Sequence, residues 1–356
     1  MGQELSDIAD PTASRARDAA PAAPDLDRPR LSVVVVSYNT RELTLRCLES
    51  VLAHPPEGGL EVFLVDNASA DGSVEAVRAR FPGVRVIANA HNRGFAAANN
   101  QAFERARGEF VLLLNPDTEV EAGALEAALE FIESRPRAGV VGCRVLLADG
   151  AQQSTVFRYL RLSTVFLNLF VPAAWMRRSR WLGRSRYIGL DLDRVQDVEV
   201  VAGCFMLVPR RVLAEVGGMD EGYFMYGEEA DWCHRITRAG WSVLYYPDAT
   251  IVHIGGQSAK QRPEKMLRAM ARSQLLFLEK SRGKATAYAA NVLMLLRDLP
   301  RAALHGLLRL LPGLRDGAFA RRLAPASARV AFHLRGLVRP DWRAEPVPIA
   351  ERRSRD

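Results

Sequence analysis

Only four cysteines occur in 356 residues, Cys47, Cys143, Cys204 and Cys233, and no two form a CxxC pair. Such spacing offers neither a zinc ribbon nor a disulfide framework, and it fits a reducing cytosol. Long apolar runs are also missing. The longest uncharged stretches, Leu162 to Met176 and Ala285 to Leu296, fall short of the roughly 18–20 residues that a bilayer-spanning helix needs. Residues 1–30 mix Ala, Pro, Asp and Arg without the apolar core of a secretory signal, so they read as a disordered lead. No internal repeat is present.

The chain carries a net charge of +7 and is 48% hydrophobic, enough to bury a sizeable core. The location of the charge narrows its meaning. Residues 297–356 hold thirteen Arg against six acids, and residues 157–190 hold seven Arg and no acid, which leaves the remainder net acidic. Both basic segments are also rich in Leu, Val, Phe and Trp. That mixture fits a membrane-facing surface better than a nucleic-acid footprint.

Residues 31–37, LSVVVVS, are β-branched and apolar on both faces, as in a central parallel strand covered on each side by helices. A helix over Arg41 to Ala53 follows, then a strand over Glu61 to Asp66, a helix over Val74 to Arg80 and a short strand over Val84 to Ala88. A helix running to about Arg107 and a strand over Phe110 to Leu114 complete the series. This alternation predicts a doubly wound, Rossmann-like α/β sheet. Further on, a helix is expected over Glu121 to Ser134, strands over 139–147 and 198–208, and a strand SVLYYP ahead of TIVHIGGQS. Beyond about Lys260 the pattern is helical and amphipathic.

Doubly wound sheets bind ligands beyond the carboxyl ends of their strands. Ser37-Tyr38-Asn39, Asp66-Asn67 and Asn115-Pro116-Asp117 all lie at those ends. Pro116 restricts Asn115 to extended backbone and so fixes where Asp117 points. A carboxylate there suits Mg²⁺ or Mn²⁺ bound together with substrate phosphates; an ordinary Asx-type turn is the plainer reading. Asp66 is placed either to accept the imide N–H of a uracil or thymine, or to serve a turn, with Tyr38 and Asn39 beside the base or ribose. In HNRGFAAANN, residues Asn92, Arg93, Gly94 and Asn99 bring a guanidinium and amides to a helix N-terminus, where an anion is favoured. Glu228, Glu229 and Asp231 cluster in a first helical turn. Acids there favour the helix dipole, but the aromatic setting of Phe224, Tyr226 and Trp232 also suits a general base of raised pKa. His253 follows a strand and precedes two glycines; with Asp117 it offers two ligands for a borderline metal.

Taken in order, VVVVSYN, LVDNASADGS, NRGFAAANN, LLLNPD, VAGCFMLVPRR, GGMDEGYFMYGEEADWCHR and VHIGGQS resemble the family 2 glycosyltransferases of GT-A fold. The nearest group is the rhamnosyltransferase-like members that build bacterial cell-surface polysaccharides. The resemblance covers about residues 31–258. It implies that Asp66 reads a pyrimidine, and that Asp117 is the metal-binding aspartate of an element reduced here to NPD. It also implies that His253 completes the metal site. Glu228-Glu229 matches the family's Glu-Asp pair, whose second member is the base; Glu229 stands where the family has Asp, which leaves Glu228, Glu229 and Asp231 all as candidates. The implied chemistry is inverting transfer from a nucleotide-sugar donor, dTDP-rhamnose first and a UDP-galactofuranose or UDP-hexose second, with Gly203 and Cys204 as the floor under donor and acceptor. A non-catalytic glycan- or membrane-binding relative is the third reading.

The implied acceptor is polyprenyl-linked or a polysaccharide, at the inner face of the cytoplasmic membrane. NVLMLLRDL and RAALHGLLRLL place leucines on one face with arginines beside them, as in a helix lying among headgroups. A helix packed on its own domain or against a second copy is the alternative. The expected organisation is a lead over 1–30, a catalytic domain over 31–258 with an Arg-rich insert at 157–190, a helical extension over 259–340, and a disordered tail over 341–356.

Overall fold

The computed structural model describes residues 28–171, 191–254, 263–311 and 317–342. The expectations for the lead, for most of the Arg-rich insert, for Gly255 and Gly256 and for the tail fall outside these residues.

The first half alternates as its apolar periodicity requires: β1 (Leu31–Ser37), α1 (Arg41–Ala53), β2 (Leu60–Asp66), α2 (Ser73–Arg80), β3 (Arg85–Ala88), α3 (Phe95–Phe103) and β4 (Phe110–Leu114). It continues through β5 (Thr118–Val120), α4 (Ala124–Glu133), β6 (Ala138–Leu146), β7 (Gln152–Gln153), β8 (Val156–Phe157) and α5 (Leu162–Phe170). After the insert come β9 (Gln196–Asp197), β10 (Val200–Val201), β11 (Phe205–Pro209), α6 (Arg210–Val216), α7 (Glu228–Arg238) and β12 (Ser242–His253). Three helices close the described chain: α8 (Pro263–Arg282), α9 (Lys284–Arg309) and α10 (Ala318–Val338).

The main sheet has the order β3-β2-β1-β4-β11-β6-β12-β5. Strands β1 to β4 pair in parallel, β11 runs antiparallel to both β4 and β6, and β6 pairs in parallel with β12. Two reversals restore direction, so β6 and β12 point the same way as β4. The carboxyl ends of β1, β2, β4 and β12 therefore share one edge. Alternate residues of β1 feed opposite faces: Leu31, Val33 and Val35 pack with α1 and α4, while Val34 and Val36 pack with α3 and α7. Burial on both faces is what the unbroken valine run requires.

Four local expectations need correction. The third helix ends at Phe103 and not near Arg107, since the Arg107 and Gly108 amides donate to Glu61 Oε1 and Ser32 Oγ while Arg210 donates to the Ala106 and Gly108 carbonyls. Thr118–Val120 is a short strand on β12, so the helix expected from Glu121 starts at Ala124. The stretch 198–208 is two strands separated by a turn at Ala202 and Gly203. SVLYYP and TIVH form one long strand, bulged between Tyr246 and Thr250. In each case a long-range pairing partner decided what the local pattern left open.

The helical extension packs against the sheet domain. Leu275, Leu276, Phe277 and Leu278 of α8 join Tyr223, and Val165 of α5 joins Ala290 and Met294 of α9, in a third core. Among the described residues no helix is long and apolar enough to cross a membrane.

Candidate active site

Asp66 closes β2, in register with Ser37 at the end of β1. The Asp66 side chain is 2% exposed. Its Oδ2 accepts from the Ser69 amide at 2.8 Å, whereas Oδ1 is buried and has no hydrogen-bond partner among the described residues. A buried acceptor left unpaired is costly, so this oxygen calls for a ligand donor. Asn39, in left-handed backbone, ties the same loop down: its amide donates to Ser69 Oγ and its side-chain oxygen accepts from the Ala70 amide, both at 2.8 Å. Tyr38 is half-buried beside it.

Beyond β4 the chain is pinned at Asn115, whose amide donates to the Cys204 carbonyl at 3.2 Å and whose carbonyl accepts from Thr118 Oγ1 at 2.6 Å. Pro116 then directs Asp117 inward. The pairing of β5 with β12 places Thr118 opposite His253, and the Ile254 amide donates to the Asp117 carbonyl. Asp117 Oδ1 and His253 Nε2 come within 3.2 Å of each other, both side chains nearly enclosed. On its other side His253 Nδ1 meets Gln153 Oε1 at 2.9 Å. An amide oxygen only accepts, so Nδ1 is the donor in this contact and Nε2 is the ring nitrogen turned toward the carboxylate. One borderline nitrogen and one hard oxygen converging at 3.2 Å is a donor set that suits Mn²⁺ or Mg²⁺. Among the described residues no third His, Cys, Asp or Glu joins them.

The acidic segment lies at the start of α7. Glu228 is 4% exposed and its Oε2 has no hydrogen-bond partner among the described residues. Burial first, and the charge of Glu229 second, hold its carboxyl well above the usual range. Glu229 is half-buried, its Oε2 accepts from the Gly227 amide at 2.9 Å, and burial raises its pKa too. Asp231 is committed elsewhere. Its Oδ2 accepts from Arg235 Nε at 2.8 Å and its Oδ1 from the Tyr223 hydroxyl at 3.4 Å. Arg235 in turn donates to the carbonyls of Val216 and Gly218, closing the loop that leads into the acids.

Cys204 links the two halves of the site. Burial first pushes its thiol up to about 12, and the charges of Asp117 and Glu229 both add to the shift. The metal candidate and the base candidate thus flank one buried side chain.

Residues 32–217 match the protein-family model described as Glycosyl transferase family 2. N-acetylglucosaminyl-diphospho-decaprenol L-rhamnosyltransferase of Mycobacterium tuberculosis is 30% identical over 70% of this chain and 83% of its own length. The chain belongs to glycosyltransferase family 2. Rhamnosyltransferase WbbL of Escherichia coli is 27% identical over 54% of this chain and 70% of its own. Among solved structures, a mannosyltransferase of Pyrobaculum calidifontis in complex with GDP-Man and Mn²⁺ gives a TM-score of 0.52. It is 20% identical, over 87% of this chain and 89% of that one. GalNAc-T7 with UDP, GalNAc and Mn²⁺ gives 0.50 at 18% identity, over 74% and 53%. The fold is GT-A, and the chain is a rhamnosyltransferase-like family 2 glycosyltransferase.

Within this GT-A frame several residues read from the sequence have local duties. Ser37 Oγ is enclosed, 3.0 Å from both Thr40 Oγ1 and Thr44 Oγ1, so it braces the strand end. Asn92 Oδ1 accepts from the Gly94 amide at 2.9 Å, shaping the turn that presents Arg93. Among the described residues the Arg93 guanidinium has no ion-pair partner. Asn99 donates to Phe95 O inside α3. Cys204 turns its side chain into the core and offers the cleft only backbone. A Cβ added at Gly203 would meet only the Phe95 ring, at 3.5 Å, so the protein itself leaves room for one there.

Two further amides join the segments of the site: Asn67, placed at a strand end by the sequence, and Asn100, which the sequence did not single out. Asn67 donates to the Gly94 carbonyl at 3.1 Å and, with Asn89 and Gln101, forms an amide chain under Arg93. Asn100 clasps Met219 by two backbone bonds, at 2.8 and 2.9 Å, joining α3 to the acidic segment. Both sit in motifs quoted above, but only the fold reveals which amide faces which partner.

Proposed function

We propose that this chain is a metal-dependent, inverting transferase that moves rhamnose from dTDP-rhamnose to a hydroxyl of a polyprenyl-linked or polysaccharide acceptor. The observation that carries the reading is the Asp117–His253 pair, 3.2 Å apart, on the same sheet edge as Asp66 Oδ1, which has no hydrogen-bond partner among the described residues. Support for the sugar and the lipid-linked acceptor comes from the names of the relatives. A Mn²⁺ or Mg²⁺ ion held by Asp117 and His253 would offset charge on the departing diphosphate.

The rest follows from this chain's own residues. Asp66 Oδ1 accepts the imide N–H of thymine, a role that uracil fills equally well. Arg93, aimed from the N-terminus of α3, faces the diphosphate as a cation without a competing acid. Glu229 takes the proton of the acceptor hydroxyl as its oxygen attacks the anomeric carbon, and the raised pKa suits a base working near neutrality. Glu228 is buried behind it. Asp231, bound by Arg235, keeps the loop in place.

The acceptor side involves the membrane surface at its inner face. Leu296, Leu299, Ala303 and Leu307 of α9, with Leu310 at its C-cap, recur at helical spacing and are all exposed, with exposed Arg301 and Arg309 beside them. An apolar stripe flanked by cations fits the headgroup region of an anionic membrane.

A donor-hydrolysis screen across dTDP- and UDP-sugars, with and without Mn²⁺, tests this reading. Turnover of dTDP-rhamnose only with metal is the expected result. Turnover of a UDP-hexose alone rejects rhamnose, and unchanged turnover in Asp117→Ala rejects the metal assignment.

A further inference from the structure

Gln153 stands outside every motif that led to the site. It lies in β7, a two-residue strand antiparallel to β6, opposite Val145. Val145 also pairs with Ile251 of β12, two residues before His253. This register carries the Gln153 side chain over the end of β12, where Oε1 reaches His253 Nδ1 at 2.9 Å. The segment is anchored at both flanks. Gln152 Nε2 donates to the Tyr245 hydroxyl at 3.2 Å, and the Thr155 carbonyl accepts from the Ala202 amide at 2.8 Å, beside the Gly203 turn.

An imidazole binds a metal through one nitrogen, and the partner of the other nitrogen sets the tautomer and the ring's orientation. We propose that Gln153 is a positioning residue for the metal site: by accepting a hydrogen bond from Nδ1–H it holds the His253 ring with Nε2 turned toward Asp117. The inference rests on the metal reading above. Because the same segment bonds to Ala202, it also fixes the distance between the metal ligand and the floor of the cleft. Without Gln153 the ring is free to carry its proton on Nε2 and donate it to Asp117. That bond would consume both candidate ligands.

The test is Mn²⁺ affinity of the full chain in the presence of dTDP, followed by titration calorimetry and by the Mn²⁺ electron paramagnetic resonance signal. Gln153→Ala is expected to weaken Mn²⁺ by about 10- to 100-fold, with metal-free dTDP affinity within about twofold of the parent. Gln153→Glu, which also accepts from Nδ1–H, is expected to return Mn²⁺ affinity to the parent level or tighten it. Unchanged Mn²⁺ affinity in Gln153→Ala overturns the proposal. So does an equal loss in both variants, which would mean that residue 153 acts through packing alone. If the parent protein itself shows no dTDP-dependent Mn²⁺ binding, the metal reading fails first and takes this inference with it.

Discussion

The amide that follows Gly94 donates to the carbonyl of Phe224 at 2.9 Å, and a Cβ on Gly94 would stand 2.6 Å from that same oxygen. The turn that presents Arg93 is therefore seated directly on the segment that leads into Glu228 and Glu229. Gly94 also has φ +85, a conformation that side chains other than glycine's rarely adopt. Gly94→Ala is expected to lower stability by about 1–3 kcal/mol and to weaken donor binding by roughly tenfold or more, since both segments must move apart. Thermal melting and nucleotide titration check this; an unchanged melting point would show that the contact is not tight.

Glu229 and Asp231 of α7 should separate by phenotype. Glu229→Gln is expected to cut kcat by about 10²–10⁴ with donor affinity preserved, the loss typical of a missing general base. Asp231→Asn removes a charged partner of Arg235 and is expected instead to cost stability, about 2 kcal/mol, with a much smaller effect on kcat. The opposite pattern in steady-state rates and melting would move the base to Asp231.

Burial raises the pKa of both Glu228 and Glu229, and the sign of the pH dependence follows. The base must be ionised, so activity falls as pH drops through the raised value, and the acid limb of kcat/KM should lie above the ordinary glutamate value of about 4.3. The linkage to stability has the other direction. A folded pKa above the unfolded one means the folded chain binds protons more readily, so the ionised pair costs stability at neutral pH and that cost is relieved on acidification. A kcat/KM profile from pH 4 to 8 locates the limb; finding it at the ordinary value would contradict an enclosed base.

The exposed stripe on α9 gives a further prediction. Leu299→Glu combined with Leu307→Glu alters two side chains that are 47% and 57% exposed, so the fold should persist. Co-sedimentation with phosphatidylglycerol vesicles is expected to fall by about tenfold or more, each charge costing heavily in an apolar contact. Retained vesicle binding would discard the stripe as the membrane contact. Conversion of a dimer to a monomer, with vesicle binding absent in the parent too, would assign the stripe to a second copy of the chain.

Much of the frame was written locally. The both-faced valine run of β1 required helices on each side, and the alternation through Leu114 placed Ser37, Asp66 and Asn115 at strand ends because a parallel sheet aligns those ends. The ordered motifs named the family, and the first turn of α7 emerged at Glu228 as its acids suggested. Helix and strand periodicity, turn chemistry and the stiffness of the residue before proline act over a few positions, so one sequence displays them.

What only the tertiary structure decided were the partners. Periodicity does not reveal that β11 runs backwards between β4 and β6, or that Thr118–Val120 pairs with the end of β12, yet that pairing brings Asp117 to His253. Nor does it show that Asp231 belongs to Arg235, that the Ser37 hydroxyl faces inward, or that Gln153 sits on an imidazole. Each depends on the register between segments distant in the chain. Register is set by how whole faces bury against one another, whereas the residue types at a site fix only which chemistry becomes possible once those faces have met.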